Sequence, residues 1–274
     1  DVSILYLSCG KQDSQKIFGR YSAFGTAGML TGCLIFTLFL STNYSAAAFG
    51  TVISYCLAFL LSFFVTDVRD TEPKEDKPSL RRLLDVCKIT LGDKRFLLFI
   101  LADALLAYGT WAVSVMLNQG KYISLGLTEQ HIGIIGLAFS GLTLTAAWSA
   151  LLTQKMGFKR FFVLMVGMAS VNALVMGITG SAMLAIFCGA MVDLAYGLVQ
   201  PLISDLYSKR VTVSDRATQL SVYAMITEGF SFGLSFLMSL IAGKSMLAPF
   251  LFASALCASG IILFLVCYRN VKEV

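Results

Sequence analysis

Long apolar runs alternate with short polar segments along most of the chain. Each run is about 20 residues long, the length that an α-helix needs to cross the hydrocarbon core of a bilayer. The runs predict eight spanning helices, over residues 19–40, 46–64, 96–117, 132–152, 161–178, 182–202, 220–241 and 247–268. None shows the short alternation of a membrane β-strand, and helices are the other structure that satisfies every backbone polar group in lipid. The pattern predicts an all-α, polytopic membrane helix bundle.

The composition excludes a soluble globular domain. Of the 274 residues, 57% are hydrophobic and only 14% are charged, whereas soluble domains carry about 25% charged residues. The mean hydropathy of +0.78 is also that of a membrane protein. We therefore expect a lipid bilayer to surround most of the chain.

Lysine and arginine residues are concentrated in alternate connections between the predicted spans. One set of connections, together with the two chain ends, holds 19 of the 21 basic residues, and the other set holds only Lys121 and Lys244. By the positive-inside rule, both ends of this chain are cytoplasmic. The net charge of +5 therefore reflects loop topology, and we predict no nucleic-acid partner and a multi-pass location in the plasma membrane.

A long polar segment divides the predicted spans into two groups. Residues 1–66 hold two spans, residues 67–95 form a central cytoplasmic loop, and residues 96–274 form a six-helix bundle. The loop begins with a mixed-charge, proline-containing linker and continues with leucines at helical spacing, which predicts an interfacial helix. Because only a short segment precedes the first span, we expect a fragment that lacks an amino-terminal part.

Three acidic residues, Asp103, Asp193 and Glu228, lie inside predicted spans. Each costs roughly 2.5 to 3.5 kcal/mol at a helix centre on insertion scales. Apart from Arg20 at the start of the first, no basic residue lies inside a predicted span, so the sequence offers no ion-pair partner near the acids. The charge is then balanced by a proton, by a cationic solute or by a helix outside this chain.

Each acid begins a polar stripe on an otherwise apolar helix. The residues at helical spacing are Tyr196, Gly197, Gln200 and Ser204 for Asp193; Ser221, Ala224, Ser231 and Ser235 for Glu228; and Ala107, Thr110, Ser114 and Asn118 for Asp103. Three converging stripes would line a water-accessible cavity. The alternative is that each acid is protonated or hydrogen-bonded to a neighbouring helix and only holds the bundle together.

Other sequence features give weaker indications of function. Pro201 breaks the backbone ladder just past Asp193, which is typical of a helix that bends around a cavity. His131, the only histidine, is predicted to cap a helix at the interface. Glycines in several spans predict either close helix packing or sliding surfaces. No catalytic motif, metal-ligand spacing or cysteine pair is present, so we predict no enzyme, no cofactor and no metal site.

Two spans, a long basic loop and six further spans resemble the last eight of the twelve helices of a major facilitator superfamily transporter. The segment "ALLTQKMGFKRFF", residues 150–162, is similar to the family's loop signature G-x-L-x-D-R-x-G-R-K, although Ala150 and Gln154 depart from it. Two further segments resemble the family, "KIFGRYSAFGTAGMLTG" at residues 16–32 and "SDRATQLSVYAM" at residues 214–225. The family's antiporter signature has a proline at the position that follows residues 16–32, and this chain has Cys33 there.

The resemblance implies a secondary active transporter that works by alternating access, monomeric when full length. It implies that the spans with Asp103, Asp193 and Glu228 line the central cavity, that Gln200 and Tyr196 contact a small solute, and that Gly157, Lys155, Lys159 and Arg160 form a conformational loop. Proton-coupled efflux of a cationic or amphipathic compound is the expected activity. An importer whose acids do not titrate, and a non-transporting receptor or assembly subunit, remain alternatives.

Overall fold

The computed structural model describes residues 14–35, 44–64, 87–88, 90–210, 216–243 and 245–271. The described residues form helices joined by short turns. In chain order the α-helices are α1 (Ser14–Ile35), α2 (Tyr44–Ser62), α3 (Lys94–Trp111), α4 (Asn118–Ser124), α5 (Glu129–Leu142), α6 (Ser149–Met156), α7 (Phe158–Ile178), α8 (Ala182–Arg210), α9 (Arg216–Ala242) and α10 (Leu247–Val271).

Six continuous helical stretches are long and apolar enough to cross a membrane. They are Phe96–Ser124, His131–Met156, Phe158–Ile178, Ala182–Lys209, Thr218–Ala242 and Leu247–Cys267. Helix α2 adds a shorter apolar stretch, Ala48–Ser62, and α1 lies where the first span was predicted. The prediction of an all-α, polytopic membrane bundle is confirmed, and two helices run several residues past their predicted ends, to Ser124 and Arg210.

Two of the spans contain a segment that departs from α-helical geometry. Residues Ala112–Leu117 form a π-helical segment that joins α3 to α4, and residues Thr143–Trp148 form a 3-10 segment that joins α5 to α6. A π-helical segment inserts an extra residue into a helix and is frequent at functional sites. Both departures fall inside apolar spans, away from the helix ends.

The core of the bundle consists of four helices packed side by side. Helix α10 packs against both α3 and α7, and α8 packs against the other side of α7. One group of buried side chains, around Phe96, Phe161 and Phe264, fills the half nearer the α6–α7 turn. A second group, around Tyr122, Phe139 and Phe250, fills the opposite half.

The two ends of this bundle carry different turns. We call one end, where α3 begins, α8 ends and Gly157 separates α6 from α7, the Gly157 end. We call the other, where α4 ends and Gly180 lies between α7 and α8, the Gly180 end. The Gly157 end is the side that the distribution of basic residues predicts to be cytoplasmic.

Helix α1 runs antiparallel to the stretch formed by the 3-10 segment and α6. Near its start, Gln15 donates hydrogen bonds to the hydroxyls of Ser149 (3.1 Å) and Thr153 (2.9 Å). Further along, the Thr143 hydroxyl donates to that of Thr26 at 2.8 Å. These contacts attach the first predicted group of spans to the six-helix group.

Close packing explains only one of the glycines on α1. An ideal Cβ at Gly19 would lie 2.6 Å from the backbone oxygen of Ala146, so only glycine allows this approach. The other glycines proposed as packing positions have no atom within 4 Å of an ideal Cβ: Gly25, Gly28, Gly32, Gly133, Gly136, Gly141, Gly229 and Gly233. For those positions, the packing prediction is wrong among the described residues.

Helices α2 and α9 present large apolar surfaces. Every residue of α2 from Thr51 to Ser62 is exposed, and on α9 the side chains of Phe232 and Phe236 are exposed as well. Such surfaces are expected on helices that face lipid tails or other membrane helices. The predicted interfacial helix falls almost entirely on residues 65–86, which lie outside the described residues.

Candidate functional site

Asp103 is a buried carboxylate on α3, in the half of the bundle near the Gly157 end. Its side chain is 7% exposed. Helix α3 starts where Asp93 accepts a hydrogen bond from the backbone of Phe96, so Asp103 lies about 15 Å along the helix. The hydroxyl of Tyr207 on α8 donates a hydrogen bond of 2.8 Å to its carboxylate.

Aromatic rings enclose the Asp103–Tyr207 pair. Phe99 and Tyr223 lie 5.3 Å and 5.8 Å from the Tyr207 ring, between centroids, and Phe96 lies 4.6 Å from Tyr223. Contacts of this length are typical of favourable aromatic pairs. The aromatic cluster therefore packs around Tyr207, the residue that donates to Asp103.

Tyr207 was not among the residues predicted from the sequence. The signal was present, because Tyr207 follows Tyr196 by three helical turns and continues the polar face of α8 that carries Gln200 and Ser204. It was not recognised because Tyr207 lies beyond the predicted end of that span, whereas the helix itself continues to Arg210.

Tyr196 lies near two of the predicted acids. It is partly buried on α8 and interacts electrostatically with both Asp103 and Glu228. Glu228 itself is exposed on α9. Asp103, Tyr196 and Glu228 therefore form one group, with Glu228 at its open edge.

Asp193 belongs to a second polar group. It is partly buried on α8 and accepts a hydrogen bond from the hydroxyl of Ser114, which lies in the π-helical segment. Asn118, the first residue of α4, donates its side-chain amide to the backbone oxygen of Ser114. Ser114 and Asn118 were expected to extend the stripe of Asp103, and the structure brings that stripe to Asp193 instead.

Gln200 is partly buried and lies two turns past Asp193, next to Pro201 inside α8. Pro201 lacks a backbone N–H, so one backbone carbonyl in the preceding turn loses its helical partner. On the same face, an ideal Cβ at Gly197 would lie 3.3 Å from the Cα of Thr143. This part of α8 thus packs against the 3-10 segment.

The predicted loop motif forms a turn of a single residue. Gly157 has φ +79° and ψ 146°, a conformation that is essentially restricted to glycine, between the end of α6 at Met156 and the start of α7 at Phe158. Lys155, Lys159 and Arg160 are exposed around it. The turn presents three positive charges at the Gly157 end.

A buried lysine lies at the opposite end. Lys121 is 7% exposed on α4, and its ammonium group donates a hydrogen bond of 3.0 Å to the backbone oxygen of Gly177 in the last turn of α7. The prediction that no basic residue lies inside a span is wrong here, because the helix that starts at α3 continues through Ser124. A cation is favoured at a helix C-terminus by the helix dipole.

His131 caps α5. Its backbone N–H donates to the Thr128 hydroxyl at 3.5 Å, and its Nδ1 lies 2.7 Å from the same oxygen. Among the described residues, no three His, Cys, Asp or Glu side chains lie together as metal ligands would.

Comparison with known proteins gives one positive result. A family model described as Major Facilitator Superfamily matches residues 2–235. No curated protein and no solved structure matches the chain. The match covers most of the chain, including the segments that carry Asp103, Asp193 and Glu228.

Proposed function

Because the chain belongs to the Major Facilitator Superfamily, we propose that it carries a small solute across the plasma membrane by alternating access, as a proton-coupled exporter of a cationic or amphipathic compound. Membership of the family makes it a multi-pass membrane protein and a secondary transporter of a small solute. Proton coupling, the outward direction, cytoplasmic chain ends and a monomeric state are parts of the proposal.

The observation that carries the proposal is the state of the three intramembrane acids. Among the described residues, none of these three acids forms an ion pair with a lysine or arginine, whereas Lys209 pairs with Asp205 at 2.7 Å near the end of α8. Asp103 and Asp193 each receive a hydrogen bond from a single hydroxyl, of Tyr207 and Ser114 respectively. Unpaired intramembrane acids are typical of proton relays and of sites for cations.

Within this proposal the acids have different roles. Asp193 and Glu228 are partly or fully exposed, so a proton or a cationic solute can reach them; Asp103 is enclosed and is the weaker candidate. Tyr196 interacts electrostatically with both Asp103 and Glu228, and Gln200 provides a polar contact further along α8. Lys155, Lys159 and Arg160 around Gly157 form the loop that changes conformation during the cycle.

The test is transport by the full-length protein in proteoliposomes. Internal pH is followed while cationic and neutral solutes are offered, for the parent, Asp193→Asn and Glu228→Gln. Asp93→Asn is the matched control, because Asp93 lies outside the spans and asparagine caps a helix equally well.

We expect one solute to drive proton movement in the parent and the control, and either intramembrane variant to abolish it while still inserting into the bilayer. Solute flux without proton movement would favour the importer alternative. Complete absence of flux would favour a receptor or assembly subunit. Variants that behave like the parent would show that the acids only hold the bundle together.

A further inference from the structure

The Asp193 group contains a buried hydroxyl without a partner. Tyr122 on α4 is 1% exposed, and its hydroxyl forms no hydrogen bond within the described part of the chain. A buried polar group left unpaired costs about 1 to 3 kcal/mol, so such groups are rare and call for a reason. The surroundings of this hydroxyl suggest one.

The hydroxyl of Tyr122 lies directly over the backbone of α8. An ideal Cβ at Gly189 would lie 2.5 Å from this oxygen and 2.8 Å from the ring of Phe139, so any larger residue would displace the phenol. Asp193 is one helical turn further along the same face of α8, and its charge acts on the phenol of Tyr122. The unpaired hydroxyl therefore belongs to the surroundings of Asp193.

The group offers more hydrogen-bond acceptors than it uses. An ionised carboxylate has about four acceptor positions, and at Asp193 only Ser114 is seen to donate to one of its oxygens. The oxygen of Tyr122 also accepts hydrogen bonds, and none reaches it. The natural complement is a cation with several N–H donors.

The side chains around Asp193 favour some kinds of cation over others. Hard metal ions need six or more oxygen ligands, whereas this group offers one carboxylate and two hydroxyls, and the apolar ring of Phe139 lies beside Gly189, one turn before Asp193. A primary ammonium group on an apolar stem has three donors for the oxygens of Asp193, Tyr122 and Ser114, and its stem can contact the ring. A quaternary ammonium has no N–H donor for these oxygens.

We propose that Asp193, Ser114 and Tyr122 form a subsite for the primary ammonium group of the transported solute, with Gly189 leaving room for the Tyr122 phenol against α8. This inference rests on the proposed transport function and names its substrate class. The Tyr122 hydroxyl is enclosed in the present conformation, so α4 and α8 must move apart for it to reach the solute. The π-helical segment just before α4 is a suitable place for such a movement.

The test compares two identical substitutions on one span. Tyr122→Phe removes the proposed contact, and Tyr108→Phe removes another buried hydroxyl without a partner, which packs beside Trp111 with ring centroids 6.0 Å apart. Binding to the full-length protein is measured as ligand-induced thermal stabilisation. The probes are phenethylamine and its N,N,N-trimethyl derivative, which differ only in the ammonium group.

We expect the parent and Tyr108→Phe to bind phenethylamine more tightly than the quaternary compound. In Tyr122→Phe, phenethylamine binding should weaken about tenfold while binding of the quaternary compound is unchanged, since only the primary ammonium uses the phenol oxygen. An equal effect on both probes, or on neither, would overturn the proposal, as would a parent that binds no amine. Uptake of a neutral solute by that same parent in liposomes would leave the transport function standing, whereas no uptake of any solute would refute the function itself.

Discussion

The two polar groups of the bundle are built differently. Near the Gly157 end, Asp103 is almost completely buried, receives a hydrogen bond from Tyr207 and is enclosed by aromatic rings. The Asp193 group extends toward the Gly180 end; its carboxylate is partly exposed, Ser114 donates from a π-helical segment, and the hydroxyl of Tyr122 has no partner. Each carboxylate receives one hydroxyl, so the two groups differ in the burial of the acid and in the unpaired hydroxyl of Tyr122.

This difference distinguishes an intramembrane acid that stabilises the bundle from one that can take part in transport. A carboxylate that is enclosed and bonded contributes to the bundle, because its hydrogen bond replaces one that lipid cannot provide. A carboxylate that is partly exposed can exchange partners during a transport cycle. The comparison therefore favours Asp193 over Asp103 as the residue that binds a proton or solute.

The largest effect on stability is expected at the turn of the Gly157 end. Gly157→Ala should lower the free energy of unfolding by about 1 to 3 kcal/mol, because φ +79° with ψ 146° is strained for any residue with a Cβ. Gly180→Ala, in the turn at the other end, is the control, since Gly180 does not have a positive φ and an ideal Cβ there has no atom within 4 Å. Chemical unfolding in detergent micelles measures both. Equal losses in the two variants would contradict the difference between the turns.

The second largest effect on stability is expected when the Asp103 group loses its hydrogen bond from Tyr207. Tyr207→Phe should cost about 1 to 2 kcal/mol, because it keeps the ring contacts and leaves a buried carboxylate without its donor. Tyr108→Phe should cost nothing measurable, since the Tyr108 hydroxyl has no partner to lose. Comparing the unfolding free energies checks this. If both variants are equally stable, the Asp103 group is not the closed structural element described above.

The smallest effect is expected at the Asp193 group. Ser114→Ala should cost about 0.5 kcal/mol, because the carboxylate is partly exposed and water can replace the lost donor. Ser231→Ala is its control, as that hydroxyl only donates back to Thr227 on its own helix, at 3.0 Å. A loss at Ser114 as large as that for Tyr207→Phe would remove the distinction between the two groups.

Most of the fold could be predicted from the order of apolar and polar residues. Lipid offers no hydrogen-bond partner to backbone N–H and C=O groups, so each apolar run must form a helix, which satisfies these groups internally. The positions of the spans therefore follow from the local sequence. Helix ends were less certain: the runs suggested ends near residues 117 and 202, and the helices continue to Ser124 and Arg210 because tertiary contacts cover Lys121 and Tyr207 there.

Only part of the candidate site could be predicted from the sequence. A charge is so costly in a bilayer that Asp103, Asp193 and Glu228 stand out individually. Their partners lie on other helices and depend on how those helices pack. Helical spacing placed Ser114 in the stripe of Asp103, whereas the π-helical segment and the packing of α8 turn it toward Asp193.

The sequence by itself determined that this is an all-α membrane bundle, where its spans lie and which acids they carry, because solvation by lipid acts on each segment separately. Only the tertiary structure decided that Asp103 is enclosed, that Glu228 is exposed and that the hydroxyl of Tyr122 rests on Gly189 without a partner. Burial and hydrogen bonding between helices depend on contacts between residues far apart in the chain, and no local pattern specifies them.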